Sequence, residues 1–591
     1  MSTMKRKGFL VLLTAALTLG SASLRAHQPE GEGRPPKAIA VLPAKPLFSP
    51  DGKWMVLVDY DLKREICRGG TCGCAHTLHF REPVGGNDRW TVENAGPFGP
   101  IRFSPDGKIL AVAKRDQVQL LETATGKARR SLTVKEQPIR TYAGMEEKRD
   151  QLSQVVVDLA FAPDGKTLVT VSQEVLLVIW ESPVPRSLFT FWNVATGKVL
   201  EQVRGRSDGA WYGAARYGPV RFLPDGKAVA WENNNRLVDL RSGRLLFLAL
   251  GANPNWDPFL SRDGKTCVWN SDKHSNYRVH RWDMTGTKEL PALEGHRGPL
   301  TALDVSPDGQ TAAQAGSWAL RLWDVTGKSL HVLRGHSERV EAIAFSPDGK
   351  TLASGGYDGK VYLWETLTGQ ARQQFRGHRG WVQSVSFSPT GRLLVSAGAF
   401  HGRDGKVENE TYLWDVTGRC QSGQQKEPRF SSTALAGLWS DLAAEDAPKA
   451  FQAVWALVAA PQQSVALLRE RLRPADDRQI IRCIAELDSD EFKVREQAHK
   501  FLENQGETAE FALRGALRET TSAEVRRRIH DLLEKLRKAS LSPKSLQELR
   551  AVEVLEHIGT PEARNVIASL AKGAPQARLT REAKAALKRL S

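Results

Sequence analysis

Cys67, Cys72, Cys74, His76 and His79 form the densest group of thiol and imidazole side chains in the sequence. Haem attachment needs Cys-x-x-Cys-His, and a zinc ribbon needs a second ligand pair at a fixed distance; neither is present. In an oxidising compartment, thiols this close favour a disulfide. Cys67, Cys72 and Cys74 are therefore expected to staple a loop, with a metal site as the alternative. Cys267, Cys420 and Cys483 are expected to be unpaired. Gly205-Arg-Ser207-Asp-Gly209 matches the Gly-x-Ser-x-Gly hydrolase pattern, which requires a strand before it and a helix after it. Here Ala210-Trp-Tyr-Gly follows without helical periodicity, so the match reads as chance. No phosphate loop, His-Glu-x-x-His or dinucleotide fingerprint occurs. No catalytic residue, cofactor or metal is expected.

Compartment follows from the N-terminus. Lys5, Arg6 and Lys7 precede an uncharged run of 13 residues, Gly8 to Gly20, and small residues flank cleavage points after Ala22 or Ala26. That is the layout of a secretory signal peptide, and the run is short for a permanent anchor, which needs about 20 apolar residues. The expectation is an exported protein, periplasmic or extracellular, without stable membrane insertion. With 41% hydrophobic and 25% charged residues, the chain is neither disordered, collagen-like nor a multi-span membrane protein. The net charge of +16 is spread without a run of five like charges, which argues against a nucleic-acid partner.

The elements that must position any site repeat. A turn of Pro-Asp-Gly type between two apolar strands recurs eight times, at Asp51, Asp106, Asp164, Asp225, Asp263, Asp308, Asp348 and Thr390. Proline presets the first turn position and glycine takes the left-handed one, so each unit predicts a hairpin. A third strand ends in Leu322-Trp-Asp-Val-Thr-Gly, Leu363-Trp-Glu-Thr-Leu-Thr-Gly or Leu413-Trp-Asp-Val-Thr-Gly. Looser versions occur at Arg281-Trp-Asp, Phe191-Trp-Asn and Leu121-Glu-Thr. A fourth strand leads to Gly295-His296, Gly335-His336 or Gly377-His378 and the next cycle.

Four strands per cycle, with Gly-His before the first and Trp-Asp closing the third, resembles the WD40 repeat family over about 38–419. The resemblance implies a β-propeller, all-β and eight-bladed on the count of hairpins, with seven blades as the alternative. It also implies that one terminus completes the last blade, a place that Ile39-Ala-Val-Leu42 suits. The family's four-membered hydrogen-bond network carries over to His336, Ser354, Asp358 and Trp364. In the eighth repeat it reaches His378, Ser396 and Trp414, with Asp404 the candidate acid. In the sixth, His296 and Trp323 remain, Gln314 replaces the hydroxyl residue and the acid is missing. These histidines are expected to be structural.

Beyond Pro428 the apolar period becomes helical, with segments beginning near Ser432, Ala447, Gln462, Ala475, Asp490, Thr508, Ser522, Pro543, Pro561 and Leu579. Val494-Arg495 and Val525-Arg526 sit in strings that resemble HEAT-type helical repeats; a plain bundle is the alternative. The expected organisation is a signal peptide at 1–26, a linker at 27–37, the propeller at 38–419, a linker at 420–433 and an all-α, HEAT-like domain at 434–591.

The resemblance further implies one loop face for partners, carrying Trp318, Arg339, Tyr357 and Trp381. The long segment 205–217 adds Trp211, Tyr212, Arg216 and Tyr217. Trp, Tyr and Arg combine contact area with a polar handle and dominate interface energetics. The expected function is a non-catalytic scaffold that binds a protein or peptide on this face. A propeller-based hydrolase and a carbohydrate-binding protein are the alternatives.

Overall fold

The computed structural model describes residues 38–590 apart from 39, 43–45, 61–75, 85–87, 95–98, 135–152, 176–186, 205–219, 224, 233–235, 243–244, 249–258, 261–265, 271–278, 285–287, 294–299, 317–319, 325, 403–406, 419–426, 476–477, 506, 539–540 and 576. The signal-peptide and first-linker expectations lie outside the described residues.

The Ser-Pro-Asp-Gly turns are built from their own side chains. Ser104 Oγ donates to Asp106 Oδ1 at 2.6 Å and accepts the Ile109 N–H at 3.0 Å, while Asp106 accepts the Lys108 N–H at 3.1 Å. The same Ser-to-Asp bond recurs at Ser49–Asp51 and Ser306–Asp308, both 2.6 Å, and at Ser346–Asp348. These serines are buried, so each hydroxyl satisfies backbone groups that water cannot reach. Each turn joins the first two strands of a four-stranded antiparallel sheet.

Eight such sheets occur among the described residues. In chain order they lie within 47–94, 101–133, 153–204, 220–248, 259–293, 300–333, 340–376 and 381–415. The seventh is made of Val340–Phe345, Thr351–Gly356, Lys360–Glu365 and Ala371–Arg376. The eighth takes Trp381–Phe387, Leu393–His401 and Val407–Asp415 from one end of the strand region and Ala40–Leu42 from the other. Ala40, Val41 and Leu42 pair antiparallel with Leu413, Tyr412 and Thr411.

Consecutive sheets pack through apolar inner faces. Val56, Leu78 and Phe80 of the first sheet meet Leu110, Val112 and Leu121 of the second. Val361 and Phe375 of the seventh meet Val382, Val385 and Leu394 of the eighth. Leu42, Leu393, Val395 and Leu413 of the eighth meet Met55 and Leu57 of the first. Full burial of one such side chain stabilises by about 1.5–3 kcal/mol. The turns stack in the same order: Gly107 lies against Pro50, Gly165 against Pro105, Gly349 against Pro307 and Gly391 against Pro347. Gly52, at φ +69°, lies against Thr390 of the eighth sheet, where a Cβ would come within 2.8 Å of the threonine methyl.

Ten helices follow among the described residues: α1 Ser432–Asp441, α2 Ala447–Val458, α3 Pro461–Arg471, α4 Arg478–Glu486, α5 Phe492–Gln505, α6 Glu507–Glu519, α7 Ala523–Lys538, α8 Pro543–Ile558, α9 Pro561–Leu570 and α10 Arg578–Leu590. Their starts follow the capping chemistry. Ser431, Asp446, Ser542 and Thr560 accept N–H groups of the first turns of α1, α2, α8 and α9, and a proline enters early in α2, α8 and α9. The Ser431 cap opens α1 at Ser432, two residues before the expected domain start at 434.

Two cores divide these helices. Leu457 of α2, Leu468 of α3, Leu555 of α8, Ile567 of α9 and Ala583 of α10 share one. Ile480, Leu502, Leu513 and Ile529 of α4–α7 share another. The four middle helices are thus an insertion between α3 and α8. No single helix among the described residues is long and apolar enough to cross a membrane.

Candidate interaction site

Strand direction separates the two ends of the seventh and eighth sheets. Arg339 precedes Val340–Phe345, Tyr357 follows Thr351–Gly356, and Trp381 opens Trp381–Phe387, so all three sit at the loop end. Asp348, Lys350 and Thr366 sit in the turns at the opposite end. The tyrosine and tryptophan rings stack, with centroids 6.0 Å apart and planes 14° from parallel. His401 lies 5.4 Å from Trp381. Tyr357 is 45% exposed, Arg339 is exposed and Trp381 is half-buried. The Tyr357 N–H donates to the Arg339 carbonyl at 2.8 Å, which fixes the two loops to one another. Arg339 also pairs with Glu341. Beside this group the Arg379 guanidinium lies 3.7 Å above the Phe400 ring. Trp318, Trp211, Tyr212, Arg216 and Tyr217 lie outside the described residues.

Under this face the side chains form a continuous hydrogen-bonded network. Trp364 Nε1 donates to Ser354 Oγ at 2.8 Å, Ser354 Oγ lies 2.8 Å from His336 Nε2, and His336 Nδ1 lies 2.9 Å from Asp358 Oδ1. Burial acts to raise the Asp358 carboxyl, but the His336 ring and the Ser337 and Lys360 N–H groups outweigh it and hold it below the ordinary carboxylate range.

The eighth sheet holds a second complete network. Trp414 Nε1 donates to Ser396 Oγ at 2.7 Å, which lies 2.6 Å from His378 Nε2. His378 Nδ1 meets Glu410 Oε1 at 3.1 Å. Glu410, not Asp404, supplies the acid beside His378; Asp404 lies outside the described residues. The long hairpin of the eighth sheet moves the acid from the loop onto Val407–Asp415, where a side chain one methylene longer reaches back. Burial holds His378 below its ordinary range against the pull of Glu410.

A simpler bond recurs in the sixth and third sheets. Trp323 donates to Gln314 at 3.0 Å and Trp192 to Thr170 at 2.9 Å. In each of the four sheets the acceptor lies two residues beyond the residue paired with Trp, on the same face of the neighbouring strand. His296 lies outside the described residues. Sequence reading missed Thr170, although it follows the turn residue Asp164 at the same spacing by which Ser354 follows Asp348 and Ser396 follows Thr390.

Cys67, Cys72, Cys74, Cys420 and Ser207 also lie outside the described residues. So does the His76 side chain, whereas His79 Nδ1 lies 2.7 Å from Asp88 Oδ2. Cys267 and Cys483 are free and buried, and burial pushes the Cys267 thiol well above its ordinary value.

The turn end of the seventh sheet holds a set of charged residues that meets the helices. Asp348, Glu553 and His557 could each offer a ligand atom, all within 4.8 Å of one another. Glu553, however, already receives Arg372 through two hydrogen bonds of 2.8 and 3.0 Å. His557 Nε2 lies 3.3 Å from Asp348 Oδ2, and the Lys350 ammonium bonds Glu556 at 2.8 Å. A divalent cation would have to displace a guanidinium, so the set reads as an ion-pair network and not as a metal centre. A cavity of about 200 Å³ opens beside it, lined in part by Asp308, Lys350, Arg578 and Glu582.

The family model for the WD domain, G-beta repeat, matches residues 287–324, 327–365 and 369–408. Each matched segment begins on the outermost strand of one sheet and takes in strands of the next, so the sequence repeat interlocks neighbouring sheets. No curated protein matches the chain. WD40 repeats generally mediate protein–protein interaction, and the family is typically non-enzymatic. The chain carries WD40 repeats over 287–408, followed by a C-terminal helical region.

Proposed function

We propose that the chain is a non-catalytic interaction scaffold of the exported compartment. On this reading the eight sheets form one closed, eight-bladed propeller that binds a protein or peptide at its loop end. Closure is supported by the pairing of Ala40–Leu42 with Val407–Asp415 and by the packing of Met55 and Leu57 on Leu393 and Val395. The observation that carries the binding site is the stacked Tyr357–Trp381 pair beside Arg339, at the strand ends opposite those that meet the helices. Stacking presets the aromatic surface, so little conformational freedom is lost when a partner covers it.

We read the pairs α4–α5 and α6–α7 as HEAT-type repeats offering a second docking surface. In support, Arg495 folds back onto the Ser489 and Asp490 carbonyls and Arg526 onto that of Thr520, the same device in both pairs.

Crosslinked capture from the exported fraction tests the binding site. Tyr357→Ala with Arg339→Ala should lower recovery of a defined protein partner at least tenfold while the melting temperature stays near wild type. Unaltered capture removes this face from the reading, and capture of glycan instead of protein favours the carbohydrate alternative. N-terminal sequencing of the mature protein should begin at Ser23 or His27; an intact Met1 would overturn export.

A further inference from the structure

The eighth sheet is the only one among those described that draws strands from both ends of the strand region, and its N-terminal contribution is three residues long. A strand that short gains few hydrogen bonds for the backbone freedom it loses, so its pairing needs support from packing. The helices supply that support. Phe451 and Trp455 of α2 are buried in one cluster with Trp414 and Val416 of the eighth sheet and Phe375 of the seventh, and Ala38 packs against the same cluster immediately before the closing strand. One apolar cluster therefore joins α2, the seventh sheet and both segments that meet at this seam.

Helix α2 is in turn held in place from the seventh sheet and from α8. The Arg372 guanidinium lies 5.0 Å over the Phe451 ring, and His557 of α8 lies 4.6 Å from the Trp455 ring. Arg550 of α8 bonds Glu365 with both oxygens engaged, at 2.9 and 2.8 Å, and also donates to the Leu442 and Ala444 carbonyls between α1 and α2. All the charged members of this bolt, Glu365, Arg372, Arg550 and Glu553, are buried, so α8 cannot move away without stranding charge in an apolar setting.

We propose that the helical region is a clasp on the propeller: α2 covers the seam where the first and last strands meet, α8 bolts it to the neighbouring sheet, and the closing strand stays paired because of both. This rests on the closed-propeller reading. It gives the helical region a mechanical role in the same chain, separate from any partner that it docks.

Amide hydrogen exchange on the full-length protein tests it. In the wild type, residues 40–42 should be protected; free exchange there would defeat the closed-ring reading itself. In Trp455→Ala, exchange at 40–42 should accelerate at least tenfold while Ile109–Lys114, in the distant second sheet, keeps its wild-type rate. Phe451→Leu, a milder change that keeps an apolar side chain, should accelerate the closing strand in the same selective way by a smaller factor. Protection at 40–42 that survives both substitutions, or an equal acceleration in both segments, overturns the clasp while leaving closure intact.

Discussion

Arg550 on α8 and Glu365 at the end of the third strand of the seventh sheet, 185 residues apart, face each other through two parallel hydrogen bonds of 2.9 and 2.8 Å, and each is 1% exposed. Glu365 takes the place that Asp324 and Asp415 hold in the neighbouring repeats, and its extra methylene lets it reach α8. Arg372 also donates to it, at 3.0 Å, and carries the network on to Glu553.

Removing Arg550 leaves two buried carboxylates, Glu365 and Glu553, to share the single Arg372 guanidinium. Arg550→Met should destabilise the protein by about 3–5 kcal/mol in chemical denaturation. The double variant with Glu365→Gln should recover much of that loss, because the buried charges that remain, Arg372 and Glu553, then pair one to one. Equal stability of the single and double variants would contradict the pairing.

Acid should act on the same network. Burial pushes the Glu365 carboxyl up, but Arg372 and Arg550 outweigh it and hold it down at about 2; Glu556 is likewise held below its ordinary value by Lys350 and Arg589. Both carboxyls titrate lower in the folded chain than in the unfolded one. The stability they contribute is therefore present above pH of about 4.5 and is lost as pH falls toward 2. Glu365→Gln should flatten this acid limb in unfolding curves recorded from pH 6 to 2.

Asp304 has the opposite sign. Burial raises its carboxyl to about 6, and the N–H groups of Phe345 and Val305 that it accepts only partly offset that. The folded chain keeps a proton that the unfolded chain has lost, so this contribution fades as pH rises from about 4 through 6. Asp304→Asn, which still accepts from Phe345, should gain on wild type over that interval by on the order of 1 kcal/mol. A pH-independent difference would show that Asp304 titrates normally.

Ser354 serves two partners, Trp364 and His336. Ser354→Ala leaves both ring nitrogens without that hydroxyl in a buried site and should cost about 1–3 kcal/mol in denaturant unfolding. Ser396→Ala in the eighth sheet should cost a similar amount, because Trp414 and His378 depend on it in the same way. A loss confined to Ser354 would mean that the Glu410 network carries little.

Features encoded within a few neighbouring residues were readable in advance. The described turns depend on side chains such as Ser104 and Asp106 in contact with their own backbone, and several helix starts on a capping side chain followed by proline, so those assignments needed no tertiary information. Glu410 was missed because it reaches His378 from a different strand, 32 residues on, out of register with the seventh-repeat pattern.

From sequence alone came the hairpin count, the change from strand to helical period after Pro428, and the Trp, Ser, His and Asp that meet in the seventh sheet; each follows from local backbone preference or a fixed repeat spacing. Tertiary structure alone decided that α4–α7 form their own core, that α2 joins one apolar cluster with the seventh and eighth sheets, and that Glu365 answers Arg550 rather than water. Those outcomes depend on which apolar faces and charges come together across more than a hundred residues of chain. No short window of sequence records that proximity, because it is set by how the whole set of sheets and helices packs.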